Sequence, residues 1–181
     1  YKNPTSFNYK VYTLSEILNP KIKYAYFDWG GTLCRPGFSD IFAKTLDKNF
    51  LKKDAEYTLK ELKNKGIKLG IIANNDIKKT EFMDILDKTN LSKYFTDIIL
   101  SSDGYNQKPN LDIFKEGIKR SGYLPKYILY IGNNYLKDII PSANTGMQTA
   151  YNINNPSLKF NNRGIANYNV SNLRELSEII K

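Results

Sequence analysis

The sequence contains no histidine and only one cysteine, Cys34. The lack of histidine excludes Ser-His-Asp and Cys-His catalysis and histidine-ligated zinc. A lone cysteine excludes an intrachain disulfide and a thiolate metal cluster, and it favours a reducing, cytoplasmic location. Proton transfer must therefore fall to aspartate, glutamate, lysine, tyrosine or water.

Long apolar runs and blocks of like charge are also missing. No run approaches the roughly 20 apolar residues of a membrane span, and the Tyr/Asn/Lys-rich start carries no secretory apolar segment. Twenty-seven lysines and arginines against eighteen acids give a net charge of +9, which attracts anions such as nucleic acid or a phosphorylated small molecule. Because the lysines are scattered in ones and twos, nucleic acid is the less favoured partner.

A length of 181 residues predicts one domain. Short apolar runs alternate with amphipathic segments, which indicates an α/β fold, a three-layer sandwich around a mostly parallel sheet of five or six strands. We expect an N-terminal extension over residues 1–21, a core over 24–151, and a C-terminal segment over 152–181 with a short edge strand and a helix. The predicted core strands are Tyr24–Phe27, Leu69–Ile72, Asp97–Leu100, Tyr127–Ile131 and Gln148–Tyr151.

Polar residues follow four of these strands, where parallel sheets collect function. They are Asp28 with Gly30-Gly31-Thr32, Asn74-Asn75, Lys108-Pro109, and Gly132-Asn133 with Asp138. A carboxylate nucleophile, a glycine-rich loop, a lysine and a second carboxylate around one crevice suit phosphoryl transfer to aspartate. The alternatives to a catalytic role are that Lys108 is an ordinary surface lysine and that Asp138 only caps a helix.

The chain resembles the haloacid dehalogenase (HAD) superfamily, whose four motifs occur here in order between Tyr24 and Tyr151. The resemblance implies a Rossmann-like fold, with Asp28 as nucleophile and Lys108 neutralising phosphate and holding Asp28 ionised. It implies phosphate binding by Gly31, Thr32, Asn74, Asn75 and Lys108, and Mg²⁺ binding by Asp28, the Gly30 carbonyl, Asn133 and Asp138.

Three positions depart from the family pattern. Gly30 replaces the general acid, Ala73 replaces a hydroxyl residue, and Asn133 replaces a metal-binding aspartate. We therefore expect weak Mg²⁺ binding and either a slow phosphatase or a catalytically inactive HAD-fold binding module. A positive φ angle at Gly30 would strain any residue placed there.

About forty residues separate Thr32 from Ala73, too few for the family's large cap domain. The resemblance then implies an open crevice, with Asp28 accessible. Such a crevice suits a bulky or macromolecular phosphorylated ligand, or closure by a second copy of the chain in a homo-oligomer.

Overall fold

A computed structural model describes residues 20–35, 49–152 and 164–181. Its centre is one sheet of six strands, all paired in parallel. The strands are β1 (Tyr24–Phe27), β2 (Lys68–Ala73), β3 (Phe95–Leu100), β4 (Ile128–Gly132), β5 (Gln148–Asn152) and β6 (Tyr168–Val170). The predicted strands are confirmed to within two residues at each end, including the short edge strand.

Five α-helices are described: α1 (Ala55–Asn64), α2 (Lys79–Lys88), α3 (Asp112–Ser121), α4 (Ile140–Asn144) and α5 (Arg174–Ile179). Alternate residues of the central strands point to opposite faces. Phe27 and Ile131 join one buried cluster with α1, α2 and α5, whereas Tyr26 and Tyr130 join another with α3. Helices thus cover both faces of the sheet, as the three-layer prediction requires.

The strand order β3-β2-β1-β4-β5-β6 fixes where the site can lie. From β1 the chain moves outward to β2 and β3, then returns to β4 on the other side of β1. Phe27 pairs with Ile71 and with Ile131, so the ends of the three central strands lie level. The strand order reverses between β1 and β4, and the crevice at the carboxyl ends of these two adjacent strands is where such sheets bind ligands.

Asp54, Asp76 and Asp138 stand where an aspartate is expected to cap a helix, but none of them does so. The helix that follows Asp76 begins at Lys79, with Lys78 at its N-cap position. Asp54 precedes α1 without capping it, and its carboxylate accepts a hydrogen bond from the main-chain N–H of Arg174. Asp138 is not a helix cap either, because it lies inside a π-helical turn, Tyr135–Ile139, that Asn134 caps.

Three expectations fall outside the described residues. They concern an extension before Pro20, the connection over residues 36–48, and the segment over 153–163. The open crevice therefore stays a prediction. Within the described part of the chain, no helix has the length and apolar character to cross a membrane.

Candidate active site

Lys108 is the centre of a buried ionic cluster at the carboxyl ends of β1 and β4. Its ammonium donates to Asp28 Oδ1 and to Asp138 Oδ1, both at 2.7 Å. A third hydrogen bond, 2.9 Å long, runs to the hydroxyl of Tyr130. The side chain of Lys108 is only 3% exposed. The lysine, nucleophile and second carboxylate predicted from the sequence therefore converge.

The partners of Lys108 are themselves fixed. Tyr130 projects from β4 and donates its hydroxyl proton to the carbonyl of Ile72 at 2.9 Å, which leaves its oxygen to accept from Lys108. Asp138 Oδ2 accepts from the main-chain N–H of Asn134 at 2.9 Å. An ammonium has three protons, and all three of Lys108 have an acceptor.

Asn74, at the end of β2, holds the main chain of Lys108. Its Oδ1 accepts from the Lys108 N–H at 2.8 Å, and its Nδ2 donates to the Lys108 carbonyl at 3.0 Å. The peptide bond between Lys108 and Pro109 is cis. The Asn74 side chain therefore positions Lys108 in this structure, whereas the sequence predicts that it binds phosphate.

Position 31, in the loop after β1, accommodates only glycine. Its φ angle is +81°, and a Cβ atom there would lie 2.3 Å from the side chain of Asn133. Gly30 is different, because its φ is not positive and no atom lies within 4 Å of a Cβ placed on it. The strain expected for a side chain at position 30 is therefore absent.

Asn133 approaches Asp28 and the loop after β1 with one end of its amide. That end lies 3.2 Å from Asp28 Oδ2, 3.2 Å from Thr32 Oγ1 and 3.2 Å from the Gly30 carbonyl. With nitrogen at this end, the amide can donate to all three oxygens. The Thr32 hydroxyl in turn donates to Asp28 Oδ2 at 3.2 Å.

The same arrangement tests whether the residues fit Mg²⁺. Turning the Asn133 amide brings its oxygen beside Asp28 Oδ2 and the Gly30 carbonyl, and such oxygens are the ligands that Mg²⁺ takes. Asp138 is less available, since both of its carboxylate oxygens accept hydrogen bonds. In the described part of the chain no three acidic or thiol side chains gather as ligands. The donors fit the ion in type and place, with little negative charge to hold it.

Burial governs the protonation of the cluster. It raises the pKa of the Asp28 carboxyl to about 6, with Lys108 opposing the rise and Asp138 adding to it. Burial alone lowers the pKa of Lys108, but Asp28, Tyr130 and Asp138 hold it well above its ordinary value. At neutral pH the cluster therefore holds a carboxylate on Asp28 beside a protonated lysine, as a nucleophile requires.

Several donors predicted to bind phosphate are occupied within the protein. The main-chain N–H groups of Gly31 and Thr32 donate to the carbonyls of Cys34 and Trp29. The N–H of Asn75 donates to Ser101 Oγ at 3.0 Å. The phosphate-binding roles of these residues stay predictions.

A cavity of about 240 Å³ opens above the cluster. It is lined by Asp28, Gly30, Asn74, Lys108, Asn133, Asn134, Lys137 and Asp138. Tyr130, Asn134 and Lys137 are site residues that the sequence analysis missed. The sequence does offer a signal for two of them, because Tyr130 lies three residues before Asn133 and Asn134 lies four residues before Asp138.

Comparison with known proteins identifies the family. Residues 35–151 match the family described as haloacid dehalogenase-like hydrolase. That range is more than half of the chain and includes Lys108, Asn133 and Asp138. The chain belongs to the haloacid dehalogenase-like hydrolases, which confirms the resemblance seen in its motifs.

Two curated relatives are phosphohydrolases by name. The glyceraldehyde 3-phosphate phosphatase of Methanocaldococcus jannaschii is 34% identical over 125 residues, covering 68% of this chain and 54% of the relative. The pyrophosphatase PpaX of Oceanobacillus iheyensis is 33% identical over 93 residues, covering 51% and 42%. The chain thus spans about half the length of these relatives.

Solved structures support the fold. A HAD phosphatase from Thermococcus onnurineus superimposes with a TM-score of 0.73 at 20% identity, covering 87% of this chain and 97% of that one. The putative HAD-hydrolase YfnB from Bacillus subtilis, bound to magnesium, gives a TM-score of 0.71 at 18% identity and covers 89% and 99%. At such identities the likeness establishes the three-layer fold alone.

Proposed function

We propose that this chain is a slow phosphohydrolase that acts on phosphate monoesters through a phosphorylated Asp28. The observation that carries the proposal is the convergence of Asp28, Lys108 and Asp138 at the switch point of the sheet, with 2.7 Å between Lys108 Nζ and each carboxylate. Desolvation raises the pKa of Asp28 to about 6 and Lys108 opposes that rise, so the nucleophilic carboxylate is the main form at neutral pH. The name of the relative from Methanocaldococcus jannaschii supports a substrate of this class, since glyceraldehyde 3-phosphate is a phosphate monoester.

The first step transfers the phosphoryl group to the protein. A carboxylate oxygen of Asp28 attacks phosphorus, the bond between phosphorus and the ester oxygen breaks, and the leaving alkoxide takes a proton from water. Lys108 keeps the attacking carboxylate oriented and offsets the negative charge of the site. In the second step water attacks phosphorus, the bond between phosphorus and the Asp28 oxygen breaks, and the Asp28 carboxylate is restored. Inorganic phosphate leaves, and the proton lost by the attacking water passes to the hydroxide that the first step left in solvent.

Gly30 determines how fast the first step can run. An acidic side chain at this position would protonate the leaving oxygen, and such assistance contributes about 10²–10⁴-fold. With glycine there, no side chain at position 30 protonates the leaving oxygen, which departs as an anion and is then protonated by water. Turnover should therefore depend steeply on the acidity of the leaving alcohol, with aryl phosphates cleaved far faster than alkyl phosphates.

Magnesium belongs to the proposal as a weakly bound cofactor. Asp28, the Gly30 carbonyl and Asn133 would hold it, with Asp138 acting directly or through water. When bound, the ion supplies a positive charge that stabilises the phosphoryl oxygens during transfer. With only Asp28 and Asp138 as carboxylates, and Lys108 beside them, we expect millimolar rather than micromolar affinity.

The test measures phosphate release from an aryl phosphate with Mg²⁺ in excess, for the natural chain, Asp28→Asn and Asp97→Asn. Asp97 is a carboxylate of β3 outside the cavity, so its substitution controls for loss of charge. We expect Asp28→Asn to be inactive and Asp97→Asn to retain activity. Acid-quenched protein should also carry a phosphoryl group on Asp28 by mass spectrometry.

A second candidate function, a catalytically inactive binding module, is favoured by the glycine at position 30. Equal background release by the natural chain and by Asp28→Asn, with no phosphorylated aspartate, would establish that alternative and overturn the hydrolase. In either case the predicted ligand is a phosphorylated compound, bulky enough to fill an open crevice or enclosed by a second copy of the chain.

A further inference from the structure

A phosphate dianion entering the cavity needs donors that are not already occupied. Lys108 offers none, because its three ammonium protons go to Asp28, Asp138 and Tyr130. The Asn74 amide is bonded to the main chain of Lys108 at both ends. Beside the Mg²⁺ of the proposed function, an unoccupied protein donor for the phosphate must therefore come from elsewhere in the lining.

We propose that Lys137 is the substrate-binding cation of this site and contacts the phosphoryl group directly. This inference rests on the proposed function for the class of substrate, a phosphate monoester. Lys137 lines the same cavity as Asp28 and Lys108, and its side chain is exposed. In the described part of the chain no ion pair or hydrogen bond occupies its ammonium.

The main chain of Lys137 is fixed by a hydrogen bond, whereas its side-chain ammonium has no protein partner among the described residues. Asn134 Oδ1 accepts from the N–H of Lys137 at 2.9 Å and from that of Leu136 at 3.1 Å. The next residue, Asp138, is buried and bonded to Lys108. The Lys137 ammonium is therefore an unoccupied donor beside the cavity, on a main chain that hydrogen bonds hold in place.

Charge explains why such a residue is needed here. Asp28, Asp138 and Lys108 together leave the cavity with one net negative charge, which repels a phosphate dianion. Lys137 cancels that charge and adds a donor for a charge-assisted hydrogen bond. The same positive charge opposes the binding of a divalent cation, so Lys137 should affect phosphate and Mg²⁺ in opposite directions.

The experiment compares the natural chain with Lys137→Gln, Lys137→Arg and Lys60→Gln. Lys60 is an exposed lysine of α1 that does not line the cavity, so it controls for the loss of one positive charge. Inorganic phosphate and Mg²⁺ are titrated separately by calorimetry at constant ionic strength. Losing a hydrogen bond to a charged group weakens binding roughly tenfold or more.

We expect Lys137→Gln to weaken phosphate binding about tenfold and to leave Mg²⁺ binding equal or tighter. Lys137→Arg should keep most of the phosphate affinity, and Lys60→Gln should change neither. Unchanged phosphate binding in Lys137→Gln would overturn the inference, as would a parallel loss of phosphate and Mg²⁺ binding, which indicates a damaged fold.

Measuring phosphate affinity separately from ester hydrolysis distinguishes a failure of this inference from a failure of the proposed function. If the natural chain hydrolyses no ester but Lys137→Gln still loses phosphate affinity, the hydrolase fails and the role of Lys137 stands. If hydrolysis depends on Asp28 while phosphate binding ignores Lys137, the opposite holds. A natural chain that binds no phosphate at millimolar concentration would overturn the Lys137 assignment outright.

Discussion

Two clusters of this molecule combine the same kinds of charged and phenolic groups in different surroundings. The inner cluster is Lys108 with Asp28, Asp138 and Tyr130. The outer cluster is Arg120 with Asp97, Glu116 and Tyr105, where the guanidinium donates to Glu116 at 2.7 Å, to Asp97 at 3.1 Å and to the Tyr105 hydroxyl at 2.8 Å. Each cluster therefore joins one cation to two carboxylates and one phenol.

Burial separates the two clusters. The side chain of Arg120 is 32% exposed, against 3% for Lys108. The carboxyl pKa values accordingly shift in opposite directions: burial raises that of Asp28 to about 6, whereas the hydrogen bond from Arg120 lowers that of Glu116. Charges at the surface remain solvated and contribute little, while desolvated charges depend on their partners.

Position in the fold is the second difference. Asp28 and Asp138 follow the carboxyl ends of β1 and β4, beside the switch point of the sheet. Asp97 lies within β3, next to an outer hollow of about 370 Å³. The comparison teaches that an ionic cluster beside a cavity does not make an active site by itself. Desolvation and a place at converging strand ends distinguish the inner cluster.

The largest predicted difference between the clusters follows from removing each cation. Lys108→Met leaves two buried carboxylates facing each other, so we expect a loss of about 3–5 kcal/mol in unfolding free energy and no phosphatase turnover. Arg120→Met exposes Asp97 and Glu116 to water, which solvates them, so stability should change little and turnover should not change. Urea unfolding and aryl phosphate hydrolysis measure both. Equal destabilisation by the two substitutions would contradict the role assigned to burial.

Placing an acidic side chain at position 30, beside the inner cluster, should increase the rate of phosphate ester hydrolysis. Position 30 has space and an ordinary φ angle, so Gly30→Asp should fold normally and raise the turnover of an alkyl phosphate by up to about 10²–10⁴-fold. An aryl phosphate, whose leaving group needs no proton, should gain much less. Rates for a series of leaving groups measure the effect as a flatter dependence on leaving-group acidity.

The control for that substitution is Gly30→Asn, which has nearly the same size and cannot donate a proton as an acid. A matched gain from Gly30→Asn would show that the effect is steric. If folded Gly30→Asp remains as inactive as Asp28→Asn, more than the acid has been lost and the inactive binding module becomes the better description.

A smaller effect is expected on metal binding. Asn133→Asp puts a carboxylate oxygen about where the amide end now lies 3.2 Å from Asp28 Oδ2. The two negative charges should lower the melting temperature without cations, and Mg²⁺ should restore it with an affinity at least about tenfold above that of the natural chain. Calorimetry and thermal melts measure both changes.

Asn134→Asp is the matched control, because it adds the same charge one residue away. Its Oδ1 atom already accepts from Leu136 and Lys137, so the new charge faces these N–H groups rather than the cation position. An equal gain in Mg²⁺ affinity from Asn134→Asp would mean that overall charge, and not the geometry of Asn133, limits binding.

The sequence was a good guide to the fold and to the charged centre of the site. Apolar runs define the strands because a parallel sheet is buried on both faces. The polar residues that follow those runs, directly for Asp28 and after a short connection for Lys108 and Asp138, located the charged centre. The local start of a helix was less predictable, since Asp54 accepts a hydrogen bond from Arg174, which lies 120 residues away in sequence.

The missing parts of the site are those that depend on long-range contacts. Tyr130 lies in an apolar strand run, which predicts core packing, and its ring does pack in the core. Its second role depends on the hydroxyl, which accepts a hydrogen bond from Lys108 in a distant segment. From the sequence alone, Asn74 is predicted to bind a ligand. Its hydrogen bonds to the main chain of Lys108 form only when folding brings the end of β2 next to the Lys108 loop.

Tyr130 also provides the smallest and most selective test of the comparison. Tyr130→Phe removes one acceptor from the Lys108 ammonium and leaves the Ile72 carbonyl without its donor. All three residues are at most 4% exposed. We expect a loss of about 1–3 kcal/mol in unfolding free energy. Tyr105→Phe removes the corresponding acceptor from Arg120, but water can replace it there, so its effect should be close to zero.

The ligand affinity of the same variant distinguishes positioning from simple stability. Tyr130→Phe frees one Lys108 proton below the cavity, so if the three acceptors are what keeps Lys108 away from ligands, inorganic phosphate should bind at least as tightly as to the natural chain. A fold merely loosened by the substitution would instead bind phosphate more weakly. Calorimetric titration of Tyr130→Phe and Tyr105→Phe decides between these outcomes, because only the inner hydroxyl contacts the lysine that lines the cavity.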